Sequence, residues 1–190
     1  MSTEAWVRLW GKTIGAVLLN DGEDVASFEY DPGFVSSGIE VSPLVMPLSS
    51  RVYAFPELAR ETFRGLPGLL ADSLPDRFGN ALIDTWLATQ GRTPDSFNAI
   101  ERLCYIGNRG MGALEFAPVK GPAAKGARAI QIDLLVELAS EILSRRGDLS
   151  VSFQEESRQR ALTEILRIGS SAGGALAKAL IAWNPQTNEV

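Results

Sequence analysis

From Ala5 to Tyr30 the apolar positions come in short aromatic and β-branched runs broken by turn residues. Trp6-Val7-Arg8-Leu9-Trp10 is followed by Gly11-Lys12 and then by Ile14 to Leu19. Asn20-Asp21-Gly22 separates these from Val25 to Tyr30. Short runs with glycine and Asn-Asp-Gly between them predict an antiparallel meander. Asp31-Pro32-Gly33 closes it. A further short strand is expected from Val45 to Leu48, kept irregular or at an edge by Pro43 and Pro47.

The period changes near Leu66. Ser73-Leu74-Pro75-Asp76 combines an N-cap serine, a proline and an acid suited to a first helical turn. Phe78, Leu82, Ile83, Trp86 and Leu87 then recur at helical spacing as far as Gly91. A shorter helix is expected from Ser96 to Cys104, then a glycine-rich turn from Gly107 to Gly112 and a strand from Ala113 to Phe116. Lys120 to Gly126 reads as a linker of small and weakly cationic residues. Beyond it, Ile130 to Arg146 carries an apolar stripe at Ile132, Leu135, Val136, Ala139, Ile142 and Leu143. Ser152 and Glu155 form a capping-box signature for another helix that runs to Gly169. The fold class this predicts is α+β: a small antiparallel sheet with packed helices, then helices, a glycine-rich loop and a strand. The expected domains are 1–119, a linker at 120–128, and 129–190.

Composition narrows the chemistry. With 190 residues, 45% hydrophobic and 22% charged, the chain suits one packed domain or two small ones. Its formal net charge of −5 opposes direct nucleic-acid binding, which rests on neutralising phosphates. There is no histidine, so a Ser-His-Asp triad, a histidine general base and an H-E-x-x-H zinc site are excluded within these residues. The single cysteine, Cys104, lies in an apolar run and reads as a buried, inert thiol. MSTEAWVRLWG lacks the basic start and apolar run of a secretory signal, and no apolar stretch of the length of a membrane span occurs. A cytoplasmic location is therefore expected.

The segment with most chemical promise is Ile168 to Trp183, IGSSAGGALAKALIAW. Glycines let backbone amides approach phosphate oxygens, and Ser170, Ser171 and Lys178 add donors. The predicted helix precedes the glycines, so the attraction of a helix N-terminus for anions is absent; loop amides and Lys178 would supply it. Gly174 is followed by Ala175-Leu176, so this is no Walker A loop, and G-x-G-x-x-G does not occur. A structural reading stands beside this one: Gly169 as a C-cap and Gly173-Gly174 as a tight turn.

SSAGGALAKALIAW resembles the glycine-rich loop of the HipA family, the serine/threonine kinase toxins of bacterial toxin–antitoxin pairs. Ser171 and Lys178 stand at the family's seven-residue spacing. SLPDRFGNALIDTWLATQG, from Ser73 to Gly91, is similar to the family's helix introduced by Leu-Pro-Asp. YIGNRGMGALEF, from Tyr105 to Phe116, resembles its Gly-x-Arg-Gly-Met-Gly-Ala-Leu turn and strand. One departure is visible: Leu176-Ala177 replaces the Arg-Pro that many relatives carry before the loop lysine. Structural roles are expected for the other two motifs, with Asp76, Arg77 and Trp86 starting and packing a helix. Gly107, Arg109, Gly110, Met111 and Gly112 should shape a turn, with Arg109 available to a carboxylate or a partner.

The resemblance implies an ATP-phosphate loop made of Ser170, Ser171, Ala172, Gly173, Gly174 and Lys178, with Mg²⁺ held by groups elsewhere. It also implies that Ser171 can be phosphorylated as a regulatory switch. Kinase-like sites need an aspartate followed five positions later by asparagine, and no aspartate here has one. Asp76 and Asn80 are one position short. The family's chains are longer and place their catalytic aspartates beyond the glycine-rich loop. The chain is thus expected to be the N-terminal portion of such a kinase, inactive alone, with a HipB-type DNA-binding antitoxin or the kinase C-terminal lobe as partner. Two other readings stay open: a stand-alone module that binds or regulates a separate kinase core or antitoxin, and an unrelated anion-binding domain.

Overall fold

The computed structural model describes residues 2–110, 112–121 and 186. The expected helices at 130–146 and 152–169, most of the linker, the glycine-rich loop and the strand at 179–183 lie outside the described residues. Two compact units are present: Met1–Leu74 with Asn98–Lys120, and Pro75–Phe97 with Gly121–Val190.

The first unit is built on five antiparallel strands, β1 (Thr3–Leu9), β2 (Lys12–Leu19), β3 (Ser27–Tyr30), β4 (Tyr53–Ala54) and β5 (Leu114–Ala117). Their spatial order is β4-β3-β2-β1-β5. The α+β class and the meander are as the sequence predicts. β5 returns from far along the chain to pair with β1, Trp6 opposite Ala117 and Leu9 opposite Leu114. Alternation drives the packing, because successive side chains in a strand point to opposite faces. Ala5, Val7 and Leu9 of β1, Val17 of β2 and Phe28 and Tyr30 of β3 therefore enter the core. They share one core with Ile100, Leu103 and Cys104 of the helix at Ala99–Ile106.

The first hairpin has a two-residue loop, Trp10-Gly11, one position before the expected turn at Gly11-Lys12, because Lys12 already pairs with Leu9. Both loop residues have positive φ, 51° and 76°. That is the pattern of the tight turns that match strand twist, where asparagine and glycine are the favoured pair. Tryptophan has no such tolerance for the left-handed region. Replacing Trp10 by Asn is expected to stabilise the chain by about 1 kcal/mol, read as a raised urea midpoint at unchanged slope.

Between β3 and β4 the chain makes one helical turn, α1 (Pro32–Val35), capped by Asp31, whose carboxylate accepts from the Gly33 and Phe34 amides. The strand expected at Val45 to Leu48 is a turn instead. Pro43 and Pro47 have no amide hydrogen to give a ladder, and the Met46 amide closes back on Ser42 O at 2.8 Å. The short edge strand forms later, at Tyr53–Ala54. Tyr30 and Tyr53 pin the intervening loop: the Tyr30 hydroxyl donates to Met46 O at 2.8 Å, and the Tyr53 hydroxyl to Pro47 O. Burial pushes the Tyr30 hydroxyl up to about 12. Two further single turns follow, α2 (Arg60–Phe63) and α3 (Gly68–Ala71).

In the second unit the described elements are α4 (Arg77–Thr89) and a 3₁₀ turn at Pro94–Ser96. The N-cap of α4 is Asp76 and not Ser73. The Ser73 amide still belongs to the turn that ends α3, donating to Leu70 O at 3.0 Å. α4 ends in a Schellman motif: Gly91, at φ 68°, donates to Ala88 O, and Arg92 to Leu87 O.

α5 (Ala99–Ile106), capped by Asn98, starts three residues after the expected Ser96. The Ser96 hydroxyl is turned back onto Thr93 O at 2.7 Å. Asn98 and Glu101 form a reciprocal capping box, and the Asn98 side chain also donates to the Thr3 hydroxyl at 2.8 Å. Thus the helix start is fixed to the start of β1.

Candidate functional site

The residues proposed for phosphate contact, Ser170, Ser171, Ala172, Gly173, Gly174 and Lys178, lie outside the described residues. The other two motif segments are described except for Met111, and Asp76, Asn80, Trp86 and Arg109 in them make local structural contacts.

In Leu74-Pro75-Asp76-Arg77-Phe78-Gly79-Asn80, the Asp76 carboxylate accepts from the Gly79 amide at 2.8 Å. The Asn80 side chain reaches back to Pro75 O at 2.7 Å and Asp76 O at 3.0 Å. Glycine at position 79 follows from crowding: a Cβ there would stand 2.9 Å from Pro75 Cβ. Asp76 and Asn80 are therefore a helix start, as the sequence reading expected. Trp86 packs edge-on against Phe97, their ring centroids 6.1 Å apart.

In the second segment, Gly107 ends α5 at φ 60° and accepts from the Phe116 amide at 3.1 Å, which ties the helix end to β5. Arg109 folds back over α5. Its guanidinium donates to Tyr105 O and to Ile106 O and lies 5.0 Å from the Tyr105 ring centroid. A cation on the last carbonyls of a helix offsets the negative end of its dipole. Met111 is outside the described residues. Lys120 completes the closure, its amide donating to Cys104 O at 2.9 Å and its ammonium to Glu101 at 3.1 Å. Cys104 is fully buried, and burial pushes its thiol up to about 11, so it is a packing residue as expected.

Among the described residues, no group of three or more acidic or cysteine side chains that could hold a metal ion is present. Nor is any helix among them long and apolar enough to cross a membrane. What the sequence reading passed over is the outward face of β1. Trp6, 48% exposed, and Arg8 lie on that face, and Trp10, 76% exposed, stands in the hairpin turn that follows. The signal was present in the alternation of Trp6-Val7-Arg8-Leu9, of which Val7 and Leu9 go inward.

Neither the curated proteins nor the solved structures yield a match. The family model for the HipA N-terminal domain matches residues 5–117, more than half of the chain and the whole of the five-stranded sheet but for its first residues. The motif segments at 73–91 and 105–116 fall inside that match, and the chain belongs to the HipA N-terminal domain family.

Proposed function

We propose that this chain is the N-terminal portion of a HipA-like serine/threonine protein kinase toxin of a toxin–antitoxin system, acting in the cytoplasm. The supporting observation is that a HipA N-terminal domain at 5–117 is followed, in the same chain, by Ser171 and Lys178 at the spacing of the family's glycine-rich loop. Ser170, Ser171, Ala172, Gly173, Gly174 and Lys178 would hold the phosphates of ATP through backbone amides, hydroxyls and one ammonium. ATP supplies the phosphoryl group, and Mg²⁺ would be held by carboxylates from the kinase C-terminal lobe. No aspartate among the 190 residues has the asparagine partner such a site requires, so the chain is inactive without that lobe. A HipB-type DNA-binding antitoxin is the proposed regulatory partner.

The test is reconstitution with the C-terminal lobe of a HipA-family kinase. Phosphate on Ser171 would place roughly two negative charges where nucleotide phosphates belong, and so expel ATP. Ser171→Ala is expected to keep activity and to lack the slow inactivation that phosphorylation of Ser171 would cause on prolonged exposure to ATP. Unchanged inactivation would contradict the regulatory role.

The confinement of the family match to 5–117 also suits a stand-alone module that docks on a separate kinase core or antitoxin. Such a module would bind its partner without restoring turnover, which separates the two readings in the same experiment.

A further inference from the structure

Trp6 on the outward face of the sheet and Trp10 in the adjoining hairpin turn are both exposed large apolar side chains. Trp6 lies on β1 with a strand on either side, and its partners across the ladders are Ala16 and Ala117. Both are too short to cover an indole, which leaves a ridge with a low shelf on each flank. Larger neighbours would bury more of the ring and stabilise the sheet. Trp10 stands four residues on, at the hairpin tip, exposed and held at φ 51°. An exposed indole in a strained backbone position is unfavourable twice over, and strain of this kind gathers at functional positions. Tryptophan and arginine are also the residue types that dominate binding energy at protein interfaces.

Charge selects the occupant. Glu29 lies opposite Ala16, and Glu115 opposite Arg8, so both share the face of Trp6, as does Glu4 of β1. Three carboxylates thus lie on the face of Trp6 against two cations, Arg8 on the same face and the exposed Lys12 at the hairpin end. A second copy of this face, a nucleic acid or an anionic lipid surface would each bring like charge onto it. We propose that this face, centred on Trp6 with Trp10 in the adjoining turn, docks a polypeptide segment that is apolar along one side and bordered by lysine or arginine. Its apolar side chains lie on the shelves beside Trp6, and its cations meet Glu4, Glu29 and Glu115.

The proposal stands apart from the glycine-rich loop and is tested on the 190-residue chain itself. Two synthetic helical peptides serve as probes, one of leucine and lysine, the other of leucine and glutamate, with calorimetry as readout. The leucine–lysine peptide is expected to bind, more weakly as salt rises, and the leucine–glutamate peptide not to bind. Trp6→Thr and Trp10→Asn should each weaken binding by roughly tenfold with the circular dichroism spectrum unchanged. Trp10→Asn is informative because it loses binding while gaining thermal stability, which damage to the fold would not do. The double change Glu29→Gln with Glu115→Gln should flatten the salt dependence. Equal binding of both peptides, or full binding by the tryptophan variants, overturns the proposal. So does a dimer in sedimentation that Trp10→Asn dissolves, since the face would then take a second copy.

Discussion

Gly65→Ala is expected to destabilise the chain by about 3 kcal/mol, a large part of the roughly 5–15 kcal/mol that holds a typical domain folded. Two separate penalties meet at this position. Gly65 has φ 76°, in the left-handed region, where a Cβ costs about 1–2 kcal/mol. The added carbon would also overlap the carbonyl oxygen of Asp24, a backbone atom that cannot rotate aside. Overpacking of that kind costs about 1–3 kcal/mol more. Asp24 has little freedom to move: Arg60 donates to its carbonyl and pairs with its carboxylate at 3.1 Å, and the Ala26 amide donates to Gly65 O at 2.8 Å. Gly22 supplies the control. It has φ 77° but nothing within 4 Å of a built Cβ, so Gly22→Ala should lose only the backbone penalty. Equal urea midpoints for the two variants would contradict the assigned close approach.

Lys178→Ala, in the chain reconstituted with a kinase C-terminal lobe, is expected to weaken ATP binding by roughly tenfold to a hundredfold. The range follows from the loss of a hydrogen bond to a charged group, worth about 1.5–3 kcal/mol. In the proposed arrangement the loop's other contacts would be backbone amides and hydroxyls, which would leave this ammonium as the cation nearest the phosphates. Leu176-Ala177 in place of Arg-Pro increases the dependence on Lys178. Lys178→Arg keeps the charge and should retain much of the affinity, whereas Lys178→Ala should show a flatter salt dependence. Wild-type ATP affinity in Lys178→Ala would remove the residue from the site.

The meander could be read from sequence because strand alternation in β1 to β3 spans several residues and ends at turn signals. β5 was also legible as a strand, yet its place beside β1 is a long-range pairing that no local pattern encodes. α1, α2 and α3 were missed because each is four residues long, barely one turn, and leaves no period to detect. At α4 and α5 the helices were legible but their starts were not. Ser73 and Ser96 are both good capping residues on paper, and each is engaged by a preceding turn, so Asp76 and Asn98 take the role. Trp10 was hidden for the opposite reason: it occupies a turn position where residue preferences point to asparagine. The segments around Asp76 and Arg109 were legible as architecture, since both side chains bond to nearby backbone. The phosphate-loop residues rest on spacing and resemblance, because position-specific contacts of a loop depend on what folds around it.

The central claim is that a nucleotide cradle in this chain depends on acidic groups supplied from outside these residues. Release of labelled γ-phosphate from Mg-ATP measures it most directly, with the purified chain alone and then with a kinase C-terminal lobe added. No turnover is expected from the chain alone, and Mg²⁺-dependent turnover once the lobe is present. Steady, Mg²⁺-dependent turnover by the chain alone would contradict the claim.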